Sequence, residues 1–65
     1  MSKQEELRAR KGLMSVREVA ETLGSHIQTV YSWTDEAKIP YFRVGGRIKF
    51  DPTAIADWLD RRAGM

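Results

Sequence analysis

Two groups of residues in this 65-residue chain have the types and spacing to do chemistry. The first is Gln28, Thr29, Tyr31 and Ser32, side chains that donate and accept hydrogen bonds without carrying charge. The second is Lys38, Arg43, Arg47 and Lys49, cations in residues 38–50 with no acid among them. Uncharged hydrogen-bonding groups suit the base edges and phosphate oxygens of a major groove. Clustered cations are the electrostatic footprint of a polyanion. A solvated helix face and an edge strand guarded by Lys and Arg would explain each group singly. Together they favour nucleic acid.

Little else in the chain supports chemistry. There is no Cys, which excludes disulfides, thiol chemistry and Cys-zinc sites. His26 is the one histidine, with no acid at ligand spacing, so no metal site is expected. Gly45-Gly46 belongs to neither a Gly-x-Gly-x-x-Gly nor a Gly-Lys-Ser/Thr motif, and a hairpin turn explains it. Asp57 and Asp60 are three apart without a nucleophile and read as solvent-facing charges. The expectation is a binding module, not an enzyme, with no cofactor and no small-molecule ligand. Size agrees, because a domain this small buries only about 60% of its chain surface and cannot shield a deep catalytic pocket.

Composition bounds the class. Hydrophobic residues at 42% and charged residues at 31% describe a folding chain, not a disordered one. The net charge is only +2, so attraction to a polyanion depends on where the charge sits. Apolar runs are too short to span a membrane, and the N-terminus lacks the apolar segment of a signal peptide. A cytoplasmic protein, associated with the nucleoid if it binds DNA, is expected.

The elements that must position these groups follow from capping and period. Residues 1–12 are polar and aperiodic, and read as a flexible N-terminal arm with at most a helical turn around Glu5–Arg10. Ser15 and Glu18 form a capping box, with Met14 and Val19 as its hydrophobic staple. Val16, Val19, Ala20 and Leu23 mark a helix over about Val16–Leu23 that Gly24 ends. Ser25 and Gln28 suggest a second capping box opening a helix over about His26–Asp35. Two helices joined by so short a turn have helix-turn-helix geometry. With Val30 inward, Ile27, His26, Trp33 and Thr34 fall within about 60° of it, and Gln28 and Ser32 about 160° away.

Ile39-Pro40 breaks the helical pattern, and Phe42, Val44, Ile48 and Phe50 then alternate across Gly45-Gly46 as a hairpin. A loop of 45–47, pairing Val44 with Ile48 and Phe42 with Phe50, gathers all four apolar residues on one face, and this is the expected register. It sets Arg43 and Lys49 on the other face and Arg47 at the tip. Asp51-Pro52 opens a last helix with Asp51 as N-cap and Ile55, Trp58, Leu59 and Arg62 inward. Trp33 and Trp58, on apolar stripes, are expected in the core. The fold class is mostly α with a small β-hairpin: a winged helix-turn-helix of three helices plus a two-stranded wing over residues 13–63.

The stretch LMSVREVAETLG…TVYSW…KIPYFRVGGRIKFDPTAIADWL resembles the small excisionase-like DNA-binding domains of the MerR superfamily. The resemblance implies a bacterial or phage protein that acts as a recombination directionality factor or a small transcription regulator. It implies that His26–Thr34 enters the major groove, with Gln28, Thr29, Tyr31 and Ser32 outward. It implies that a wing carrying Arg43, Arg47 and Lys49 touches backbone or minor groove, and that Arg17 meets a phosphate. Ser25, Ile27, Ser32, Thr34 and Ala37 depart from the family's usual residues. Double-stranded DNA is the expected partner, with an integrase or a second copy of the chain as further partners. The competing reading is a protein-interaction module that docks an integrase or another partner, DNA contact being secondary.

Overall fold

Ser15 accepts a 3.2 Å hydrogen bond from the Glu18 backbone amide, and the Glu18 carboxylate accepts one of 2.9 Å from the Ser15 amide. This reciprocal cap starts a helix over Val16–Leu23, the span the apolar spacing predicts. The computed structural model describes residues 2–63. It holds four helices, α1 (Lys3–Ala9), α2 (Val16–Leu23), α3 (Ile27–Asp35) and α4 (Pro52–Ala63). Between α3 and α4 lies an antiparallel hairpin of β1 (Phe42–Val44) and β2 (Arg47–Lys49). The fold is a mostly helical, small winged helix-turn-helix.

Phe50, Leu7, Met14, Ile55, Val19 and Val30 are fully buried and fill one core. Each contributes on the order of 1.5–3 kcal/mol by leaving water. Trp58 packs edge-on against Trp33 at 5.4 Å between ring centroids, and its indole N–H donates to the Lys38 carbonyl at 2.7 Å. The Arg62 guanidinium lies 4.8 Å from the Trp58 ring centroid, so this last residue of the inner stripe covers the aromatic pair. Asp51 caps α4 by accepting from the Thr53 amide at 3.0 Å.

The N-terminal arm is a helix. Ser2 and Glu5 make a capping box for α1, and Leu7 is completely buried. Arg8 reaches Asp57 and Asp60 on α4, each at 2.8 Å, and these bonds hold its guanidinium above its ordinary pKa. The two aspartates are therefore partners of α1 and not free surface charges. Lys3 donates to the Thr22 carbonyl at 2.9 Å, and Arg10 meets Glu18 at 2.7 Å. A single apolar residue in a polar segment gives no periodicity, so Leu7 left no pattern to read.

The hairpin register differs from expectation by one residue. Phe42 pairs with Lys49, Arg43 with Ile48 and Val44 with Arg47, leaving a two-residue loop. Gly45 and Gly46 both have positive φ, 58° and 83°, the backbone of a type I′ turn whose twist matches the strands. That turn decides the register against the apolar pattern. Phe42 and Val44 consequently share a face with Lys49 and Arg47, and lie 41% and 48% exposed. Phe50 pairs instead with Met14, each accepting the other's amide at 2.8 and 2.9 Å.

Candidate nucleic-acid interface

α2 ends at Gly24, whose φ of 67° and ψ of 30° are left-handed. The Ser25 amide then donates to the Ala20 carbonyl at 2.9 Å, turning the chain into α3. The predicted Ser25–Gln28 capping box does not form. His26 is the N-cap, without a side-chain bond, and its carbonyl accepts from Thr29 at 3.0 Å. The helix begins one residue later because Ser25 is committed to closing α2. Val30 is buried between the helices, and Thr34, 2% exposed, donates its hydroxyl to the Tyr31 carbonyl at 2.7 Å.

An open cleft of about 560 Å³ runs between the start of α2, the first turns of α3 and the hairpin. Arg17, Tyr31, Arg43, Arg47 and Lys49 all line it, together with Ile27 and Ile48. Five of the eight sequence-predicted site residues therefore meet at one place. The other three, Gln28, Thr29 and Ser32, lie on α3 and do not line the cleft; Gln28 and Ser32 are exposed, and Thr29 is half-buried. Helical spacing puts Gln28, Tyr31 and Ser32 on one face, so that face adjoins the cleft.

The charges are sorted across the molecule. Arg8 and Arg10 are neutralised by carboxylates beside α1, and Lys38 meets Glu36 at 3.2 Å. Among the described residues, Arg17, Arg43, Arg47 and Lys49 have no carboxylate within 4.0 Å, and no acid lines the cleft. Four uncompensated cations around one trough attract an anion and leave a broad positive field for a polymeric one. Glu18, just behind, is held below the usual carboxylate range first by the Ser15 amide and then by Arg10.

Helical spacing predicts Ile27 inward, about 60° from Val30, but it is 39% exposed. It is the first residue of α3 and stands at the helix end. Ser15 and Val16, which the sequence marks only as cap and core, also line the cleft. At about 60° from the Val30 direction Ile27 stands at the flank of the inner face, where helical spacing alone does not decide burial.

No helix among the described residues is long and apolar enough to cross a membrane. No curated protein and no solved structure matches the chain. Residues 13–63, which take in α2, α3, the hairpin and α4 but not α1, match a helix-turn-helix domain family. With most of its length matched, and with α2, a tight turn and α3 followed by a cationic hairpin, the chain belongs to that family of DNA-binding helix-turn-helix domains.

Proposed function

We propose that the chain binds double-stranded DNA with sequence preference, as an excisionase-like recombination directionality factor or a small transcription regulator. The observation that carries the reading is that Tyr31 of α3 and the unpaired cations Arg17, Arg43, Arg47 and Lys49 share one cleft. α3 enters the major groove and presents Gln28, Thr29 and Ser32, while the cleft grips phosphates of the flanking strand. Phosphate contacts then set affinity, and the outer face of α3 sets preference. The role is binding and not catalysis, with no cofactor, and its place is with cellular DNA.

Selection of bound duplexes from random DNA tests this. An enriched site is expected, and Gln28→Ala should weaken that site more than random duplex. Recovery of no enriched site would contradict the sequence preference. A neighbouring integrase gene separates the excisionase role from the regulator role.

A second reading has one observation in its favour. Phe42 and Val44 expose apolar surface on the hairpin face that they share with Lys49 and Arg47. Docking of an integrase there would leave DNA contact secondary. In that case Phe42→Ser would abolish function and Arg47→Ala would spare it.

A further inference from the structure

Ile27 and Tyr31 stand one turn apart on the same side of α3, 39% and 46% exposed, and both line the cationic cleft. Because they adjoin on one helix face, their exposed apolar surface is contiguous, and a contiguous patch marks a contact site where a lone exposed side chain does not. They are not part of the buried core, to which α3 contributes Val30. Their neighbours on the same helix face are Gln28 and Ser32, both exposed and uncharged. The patch is therefore apolar, with Arg17 and Arg47 lining the same cleft and the Gln28 amide and Ser32 hydroxyl beside it on α3.

A ligand for such a patch must be anionic and offer a small apolar group beside hydrogen-bonding atoms. In the major groove the one apolar group on an unmodified base is the thymine C5 methyl. Its partner adenine presents N7 and N6, the pattern that a glutamine amide meets in bidentate fashion. The first turns of a recognition helix are the part that reaches base edges. Resting on the duplex-DNA reading above, we infer that Ile27 and Tyr31 form a thymine-methyl reading patch, with Gln28 beside them to take an adenine. Ile27 supplies the contact surface. Tyr31 supplies a ring edge to the methyl and carries its hydroxyl toward the phosphates of the cleft. The preferred site then holds at least one thymine whose methyl group is covered.

Removing only that methyl tests the inference. The duplex enriched from random DNA is remade with deoxyuridine in place of thymidine, one position at a time, and binding is measured at fixed salt. One or two positions should weaken the wild-type protein about four-fold each, the worth of one buried methyl. Ile27→Ala, a change at an exposed position, should bind the thymidine and deoxyuridine forms equally. If every deoxyuridine duplex binds the wild type as well as its parent while binding stays salt-dependent, the methyl reading is wrong and the DNA reading survives. If duplex binding is absent or indifferent to salt, both fall.

Discussion

Met14 and Phe50 exchange both backbone hydrogen bonds, at 2.8 and 2.9 Å, and both side chains are fully buried. This single bridge joins the residue before the α2 cap to the residue after β2. It holds the hairpin against the start of α2, so that Arg47 faces the same cleft as Arg17. The wing is thus oriented by the core and not by its own two short strands. Phe50→Ala should cost about 3–5 kcal/mol, from lost burial and the cavity left behind. For a domain of this size that is much of the total stability. Chemical denaturation should show a midpoint near or below native conditions.

α1 adds a second anchor. Leu7 is buried between polar neighbours, and Arg8 bridges two carboxylates of α4. Leu7→Ala should destabilise the fold by about 2–5 kcal/mol. DNA affinity measured where the variant is still folded should stay unchanged, because α1 does not contribute to the cleft. Denaturant titration and binding on the same sample check both parts.

Ala37 ends α3 with φ of 56°, a left-handed conformation that disfavours a β-carbon. Its amide donates to the Thr34 carbonyl at 3.1 Å, and Lys38 donates to Trp33 at 2.8 Å, so the conformation is fixed by the helix end. Ala37→Gly should relieve roughly 1–2 kcal/mol of strain. About 0.5–1 kcal/mol of that is lost to the greater freedom of glycine in the unfolded chain. A net gain, read as a higher thermal midpoint, is expected.

Glu18 titrates below the ordinary carboxylate value because the Ser15 amide and then Arg10 favour its charged form. A depressed folded-state pKa gives stability that is present above the unfolded value and lost as pH falls through the folded one. Wild type should therefore be more stable than Glu18→Gln at neutral pH. The gap should close on acidification below the usual carboxylate range. Thermal melts of both proteins across pH 7 to 3 test the sign, and a gap that widens in acid would contradict it.

Much of the fold is legible in the residues, for identifiable reasons. The Ser15–Glu18 cap, the stripe of Val16, Val19, Ala20 and Leu23, and the Asp51-Pro52 start all rest on local hydrogen bonds and period, which the chain states within a few residues. What misleads is competition. At Gly45-Gly46 the turn outweighs the apolar alternation, and Phe42 and Val44 end up in water. At Ser25 the closing bond of α2 takes precedence over a cap for α3. Leu7 is a lone anchor whose partners lie at the far end of the chain. Arg43, Arg47 and Lys49 come together in either register because they sit on a narrow ribbon, both of whose strands border the cleft. Ile27 is exposed although it lies only about 60° from the buried Val30, because spacing alone does not fix burial at the flank of a helix face.

The most direct test of the account is the salt dependence of duplex binding for wild type and Arg47→Ala. Contacts from Arg17, Arg43, Arg47 and Lys49 predict that log K falls against log salt with a slope of about −3.6, and that the variant loses close to one unit of slope on every sequence. A wild-type slope near zero, or an Arg47→Ala slope identical to it, would contradict the cleft as the phosphate grip.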